Sequence, residues 1–194
     1  MCGIAGYFGK DSIPKRKIES TLESIKHRGP DNQDYFESLN HNNRNVYLLH
    51  TRLAILDLDK RSNQPYKIGN NALILNGEIY NYKEIKLELE KLGYKFFTSG
   101  DTEVLAKALI EWGIEGLSKL EGMWAFCWYE EDTKKLILSR DRFGEKPLYY
   151  YESNGNLFFG SEPKSIFNLL GKKLNLNYQQ ISRYLTNGYK SLYK

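Results

Sequence analysis

Four apolar, aromatic-rich segments follow one another in the second half of the chain: "GMWAFCWYEE", "KKLILSRD", "KPLYYYES" and "NLFFGSE", within residues 122–162. The connections "EEDTK" and "ESNGN" are turn-like, and Asn154-Gly155 is a hairpin signal. Fifteen tyrosines and an aromatic fraction of 14% suit the pleated, half-buried surfaces of sheets. A run of successive strands of this kind argues for antiparallel pairing.

The remaining segments sort the same way, strands with strands and helices with helices. "CGIAGYFG" reads as a first strand. "NVYLLHTRLAILDL" and "NALILNGEIYN" are strand-like and rich in β-branched and aromatic residues. Helical spacing appears in "SIPKRKIESTLESIKHRG", where Ser12 is the expected N-cap, Pro14 suits the first turn, Ile18, Leu22 and Ile25 form a stripe, and Gly29 is the stop. "NYKEIKLELEKLGY" places Ile85, Leu89 and Leu92 on one face with Gly93 as its stop. "SGDTEVLAKALIEWG" has Leu105, Ala108, Leu109 and Trp112 as its stripe, Asp101 or Thr102 as its cap and Gly113 at its end. "SEPKSIFNLLG" and "NYQQISRYLTNG" are two further helices, the latter in a helical tail over residues 170–194. Grouped strands and grouped helices, with no repeat or linker, predict one α+β domain over residues 1–194, with antiparallel sheets covered by helices rather than a parallel βαβ fold.

Composition excludes several classes. A hydrophobic fraction of 41% in 194 residues is that of a globular chain able to bury a core. The net charge of +4 is modest, and the basic run "PKRKIES" reads as a solvated helix face, so no nucleic-acid partner is expected. No apolar run is long enough to span a bilayer, and no secretory pattern opens the chain, so neither a membrane nor export is expected. Two cysteines, Cys2 and Cys127, do not form a disulfide scaffold, which fits reduced thiols and a cytoplasmic location. His27, His41 and His50 lack ligand spacing, so no metal site is expected. Cys127, set mid-strand among Trp124, Phe126 and Trp128, reads as an inert buried thiol.

Cys2 is different. A cysteine attacks as the thiolate and needs a base. At a chain terminus it carries its own: an α-amine titrates near pH 7.7–8.0 and accepts a thiol proton directly or through one water. That requires removal of Met1, which the small side chain behind it permits. Amide hydrolysis by such a thiolate also needs donors for the oxyanion. "LNGEIYN" offers the Asn76 side chain and the Gly77 N–H. Arg52, in "HTRLAI", offers a fork for a carboxylate. Asp101, in "TSGDTEV", offers a carboxylate for an ammonium. Taken singly, Asn76-Gly77 reads as a turn, Arg52 as a surface ion pair and Asp101 as a helix cap. Taken with Cys2 they describe a pocket for an α-amino acid.

The motifs "MCGIAGYFG", "HRGPD", "HTRLAILDL", "LNGEIYNY", "SGDTEV", "LEGMWAFCWYE", "RDRFGEKPLYYY" and "SEPKSI" occur collinearly from Met1 to about Ile166, and together they resemble the glutamine amidotransferase domain of glutamine-dependent asparagine synthetases. The resemblance implies a class II amidotransferase of the N-terminal-nucleophile hydrolase fold, a four-layer α/β/β/α sandwich of two antiparallel sheets. It implies Cys2 as nucleophile, Asn76 and Gly77 as the oxyanion pair, Arg52 on the glutamine carboxylate, and Glu78 and Asp101 with Gly100 of the "GD" motif around its amino group. His27, Arg28 and Gly29 of "HRGPD" become lid or positioning residues. Other class II branches tend to show "TRWATHG" and "HNG", which favours the asparagine synthetase branch here. The alternatives are a non-catalytic glutamine-binding or regulatory module and a glutaminase domain with another ammonia acceptor.

The same resemblance implies L-glutamine as substrate, no cofactor for this domain and no metal. A C-terminal synthetase domain, in cis or in trans, would be the partner and would use ATP and Mg2+ to activate aspartate. It also allows a homodimer. Nothing in the 194 residues resembles that second half: there is no "SGGxDS" pyrophosphate loop, and the chain stops at "GYKSLYK". These residues by themselves are therefore not expected to make asparagine. Arg140, Asp141 and Arg142 read equally as an interdomain surface or as a buried ion-pair corner that fixes a turn.

Overall fold

A computed structural model describes residues 1–40 and 44–188. Strand β1 spans Gly3–Gly9 and is followed by helix α1, Lys15–Ile25. Strands β2 (Asn32–Asn40), β3 (Arg44–Arg52), β4 (Tyr66–Ile68) and β5 (Asn71–Ile79) come next, then helices α2 (Tyr82–Lys91) and α3 (Asp101–Trp112). Strands β6 (Gly122–Glu130), β7 (Lys135–Arg140), β8 (Tyr149–Ser153) and β9 (Asn156–Gly160) follow, and helices α4 (Pro163–Leu170) and α5 (Tyr178–Asn187) end the described chain. One sheet has five strands in the order β2-β3-β1-β9-β8 and the other four in the order β4-β5-β6-β7. The pairings in both are antiparallel.

The four layers follow from the two-residue period of the strands. Ala72, Ile74, Ala125, Cys127 and Tyr129 point to one face of the second sheet and meet Ile4, Val46, Leu48 and Phe159 of the first. The alternate residues Leu73, Leu75, Trp124, Phe126 and Trp128 point the other way, onto Ile85 and Leu89 of α2 and Val104, Leu105, Ala108 and Leu109 of α3. On the far side of the first sheet, Ala5, Tyr7, Tyr47, Leu49 and Phe158 pack against Ile18, Leu22 and Ile25 of α1 and Ile166 and Leu169 of α4. Trp128 and Phe126 are wholly buried, so each withdraws a large apolar surface from water. The expected α/β/β/α sandwich is what forms. Cys127 is 0% exposed between the sheets, and burial pushes its thiol well up, which makes it inert.

Local departures have identifiable causes. "NVYLLHTRLAILDL" is strand only as far as Arg52; residues 53–58 form a loop. There the Arg52 guanidinium gathers the carbonyls of Asp59 (3.0 Å), Leu56 (3.4 Å) and Asp57 and the Oδ1 of Asn63 (2.6 Å), turning the chain back on itself with Asp57 at φ 45°. Ile55 and Leu58 are left exposed, so apolar content alone is misleading at this point. Strands β2 and β4 carry no strand signal strong enough to be read from sequence. Helix α1 is capped by Pro14 rather than Ser12, whose Oγ lies 3.3 Å from the Tyr47 hydroxyl. Helix α3 is capped by Gly100, and Asp101 is its first residue. Leu92 lies just past the end of α2 and is 55% exposed. The hairpin at Asn154-Gly155 forms with φ of 52° and 75°. Helix α5 has no buried residue, leaving Tyr178, Ile181 and Leu185 exposed.

The "RDRFGEK" segment is a corner held by backbone hydrogen bonds. The Asp141 carboxylate, 5% exposed, accepts the N–H groups of Trp124 (3.3 Å), Phe143 (3.1 Å), Glu145 (2.9 Å) and Lys146 (3.0 Å). Burial would raise this carboxyl, but the N–H groups of Lys146, Glu145, Trp124 and Phe143 outweigh it and hold it below the usual range. Arg140 donates through Nε to the Lys146 carbonyl (2.7 Å) and Arg142 through Nη1 to the Leu120 carbonyl (2.9 Å). The corner is therefore fixed by carboxylate-to-amide and guanidinium-to-carbonyl bonds, not by ion pairs, and Phe143 at its tip is 88% exposed. Replacing Asp141 by alanine leaves buried N–H groups unpaired and is expected to lower unfolding stability by about 2–4 kcal/mol in urea titration. Asp141→Asn, which keeps one acceptor oxygen, should lose less.

Candidate active site

Register brings the chain start to the site. Gly3 pairs with Thr51, so Cys2 comes level with Arg52 at the end of β3. The two line a cavity of about 320 Å3, which is the size of a small-ligand pocket. Asn76, Gly77 and Glu78 enter it from β5, and Gly100 and Asp101 from the start of α3. The cavity thus lies where the ends of both sheets meet α3. The sequence-predicted catalytic and substrate-binding residues all lie on its wall.

The Cys2 thiol is half-buried and engages the backbone of Leu53, which donates its N–H to Sγ at 3.4 Å while Sγ lies 3.7 Å from its carbonyl. Burial raises the thiol. The Leu53 N–H, the terminal ammonium and Arg52 pull it down, and Asp101 pushes it up. Asn76 is 1% exposed, yet neither Oδ1 nor Nδ2 has a partner among the described residues. A buried amide costs free energy unless paired, and these two atoms are open to a partner from outside the chain, water or ligand. Gly77 is required by the fold: a Cβ there would sit 2.2 Å from the Met123 carbonyl oxygen on the neighbouring strand.

Asp101 is 6% exposed and accepts the Ile79 N–H at 2.9 Å. Burial pushes its carboxyl up to about 6, Glu78 adds to this, and the Ile79 N–H opposes it. Next to it, Glu103 is buried and paired with Lys107 at 2.6 Å. It also accepts from the N–H (2.7 Å) and hydroxyl (2.8 Å) of Thr98. This fixes the segment before α3 from which Gly100 projects.

His27, Arg28 and Gly29 are not on the cavity wall. They stand behind Cys2, in and after the 3-10 turn Lys26–Arg28. Arg28 donates through Nε to the Cys2 carbonyl at 3.0 Å and through Nη1 to Glu162 at 3.1 Å, and His27 Nε2 lies 2.9 Å from the same carboxylate oxygen. Burial would raise Glu162, but Lys164, Arg28 and His27 bring it down to about 2. A Cβ on Gly29 would meet the Thr51 carbonyl oxygen at 2.3 Å, so only glycine lets this turn lie against β3. Sequence reasoning missed Lys146, Leu53 and Gln64 on the cavity wall. Gln64 accepts the Leu75 N–H at 2.6 Å beside Asn76. No local motif marks any of the three, because folding back of the 141–146 corner and of the loop after Arg52 puts them there. Among the described residues no group of three or more His, Cys, Asp or Glu side chains is gathered for a metal ion; His41 lies outside the described residues.

The raised Asp101 carboxyl makes a signed prediction. Its folded value of about 6 lies above an unfolded value of about 3.9, so the folded chain loses stability as pH rises through that window. Asp101→Asn should therefore be more stable than wild type by up to about 3 kcal/mol at pH 7.5. The gain should vanish below about pH 4, where both carboxyl groups are protonated. Thermal melts at both pH values check this.

Three comparisons bear on this geometry. The profile of the family described as "glutamine amidotransferase domain" matches residues 1–193. A protein of Methanocaldococcus jannaschii named among the glutamine-hydrolyzing asparagine synthetases is 38% identical over 97% of this chain and 40% of its own length. "Asparagine synthetase [glutamine-hydrolyzing] 1" of Bacillus subtilis is 39% identical over 86% of this chain and 26% of its own. The chain thus spans two fifths or less of these relatives. Among solved structures, the glutamine phosphoribosylpyrophosphate amidotransferase from B. subtilis aligns with a TM-score of 0.68 and 23% identity over 88% of this chain and 44% of its own, a likeness of fold. No helix among the described residues is long and apolar enough to cross a membrane. By the match along 193 of its residues, the chain belongs to the glutamine amidotransferase domain family, with the N-terminal-nucleophile type of fold.

Proposed function

We propose that this domain hydrolyses L-glutamine to L-glutamate and ammonia. The observation that carries the reading is the presence, in one cavity, of the Cys2 thiol and a buried Asn76 amide that has no partner among the described residues. Arg52 supplies positive charge for the substrate α-carboxylate, while its Nη hydrogens hold the 53–63 loop that forms part of the wall. Glu78 and Asp101, with Gly100, receive the α-ammonium, whose charge draws the Asp101 carboxyl down into its ionised form. After loss of Met1, the Cys2 α-amine takes the thiol proton and Sγ attacks the side-chain amide carbon. Asn76 and the Gly77 N–H stabilise the oxyanion. The amine returns its proton to the leaving nitrogen, ammonia departs, and water hydrolyses the γ-glutamyl thioester. His27, Arg28 and Gly29 keep Cys2 in place from behind.

The ammonia is destined for an ATP-dependent, Mg2+-assisted amidation of aspartate on a synthetase domain. The names of the M. jannaschii and B. subtilis relatives and their greater length support this. The unpartnered apolar residues of α5 suit contact with such a domain. A different acceptor is the second reading, favoured by 34% identity to a protein of Gibberella zeae named "Amidase chry2".

Material whose intact mass shows loss of Met1 should release glutamate from L-glutamine, and Cys2→Ala should release none; activity in that variant overturns the scheme. Asn76→Ala should lower kcat by about 10²–10³-fold with little change in KM. KM for glutamine should rise as pH falls through about 6, because protonated Asp101 no longer pairs with the ammonium.

A further inference from the structure

Lys146 takes no part in the scheme above, yet it lies on the wall of the same cavity as Cys2. It is 6% exposed. Its Nζ donates to the Met1 sulfur at 3.2 Å and forms no ion pair among the described residues. Its backbone is clamped on both sides, the N–H by Asp141 at 3.0 Å and the carbonyl by Arg140 at 2.7 Å. The 141–146 corner thus delivers an ammonium, without a counter-ion, to the residue that processing removes.

We infer that Lys146 is the positioning charge that keeps the exposed α-amine of Cys2 in its neutral, proton-accepting form. Departure of Met1 removes the thioether that Nζ contacts and leaves the ammonium on the wall of the cavity that Cys2 also lines. Two ammonium groups then share one cavity, where like charges repel more strongly than in bulk water. That repulsion favours loss of a proton from one of them. An α-amine titrates near 7.7–8.0 and a lysine near 10.4, so the α-amine yields first. It thereby becomes the base that receives the Cys2 thiol proton, passing from NH2 to NH3+, and that proton goes on to the leaving ammonia. Lys146 itself exchanges no proton.

The other charges facing the terminus do not serve this role. Arg52 bears on the thiol, and its guanidinium is engaged with the loop carbonyls. Arg28 touches the Cys2 carbonyl but is neutralised by Glu162. Glu78 and Asp101, on the wall from β5 and α3, would favour the protonated amine, and in the proposed complex the substrate ammonium occupies them. Glu103 is paired with Lys107. Lys146 is left as a cation on the cavity wall that forms no ion pair among the described residues and holds no loop carbonyl with its charged end.

The inference rests on the proposed N-terminal nucleophile, and its test separates the two. In processed protein, the pH at which the α-amine titrates is read by competitive acetylation and mass spectrometry, which needs no activity. The pH profile of kcat/KM for glutamine is measured in parallel on wild type, Lys146→Met, Lys146→Gln and Lys146→Arg, with melts to confirm folding. Loss of the charge in K146M and K146Q should move both the amine titration and the ascending limb of the profile up by about one pH unit, and K146R should restore them. Unchanged titration in K146M and K146Q overturns the inference, as does a rise in KM with the limb in place, which would make Lys146 a substrate contact. A shifted titration in wild-type material that releases no glutamate would uphold Lys146 and reject the proposed hydrolysis.

Discussion

The first strand is held on both sides, and much of the molecule depends on that. Strand β1 pairs with β3 from Gly3 to Gly9 and with β9 from Ala5 to Phe8, so the beginning of the chain is an interior strand of its sheet. A terminal residue ordinarily frays because few contacts oppose its conformational entropy. Here Cys2 is one residue from the β3 ladder and three from the β9 ladder, with Arg28 on its carbonyl and Leu53 at its sulfur. The partners of β1 come from widely separated parts of the sequence, so the position of the chain start is fixed only once the five-stranded sheet is complete.

Charges around that position are arranged by the backbone rather than by direct pairing across the cavity. Arg52 and Asp141 each bond several main-chain groups, and each shapes the loop that bears a cavity residue: Leu53 in one case, Lys146 in the other. Glu162 gathers His27, Arg28 and Lys164 behind the cysteine. Asp101 and Lys146, two buried ionisable groups on the cavity wall, form no ion pair among the described residues. A site of this kind trades folding stability for readiness to bind, since buried unpaired groups cost free energy until a ligand meets them.

Much of this was legible in the sequence, unevenly and for physical reasons. Apolar period and turn residues located β5, β6, β7, β9 and the helix stripes, because each burial pattern is local. The cavity residues at Cys2, Arg52, Asn76, Gly77, Glu78, Gly100 and Asp101 could be named because each carries its chemistry in its side chain or motif. Helix ends were less legible: Pro14 displaced Ser12 and Gly100 displaced Asp101, whose carboxylate is used by the Ile79 N–H instead. The loop after Arg52 was misread as strand because "LAIL" is apolar, while the force that bends it is a guanidinium reaching forward to carbonyls. Lys146 was out of reach of any local reading, since its meaning lies in a contact with a residue 145 positions earlier.

In the proposed scheme one terminal residue is both nucleophile and base, and that scheme would impose a direction on how such a domain can be joined to others. Any segment encoded ahead of Cys2 would occupy the nitrogen that must act as base, and would run into the cavity from the opening of an interior strand. It would have to be excised at a single peptide bond before the site could work. At the opposite end, Gly171 closes α4 and the chain leaves the sandwich through the solvent-exposed α5, where added length disturbs no sheet. Under the proposed scheme, gene fusion around this fold would be a one-way street, with the first position reserved for chemistry.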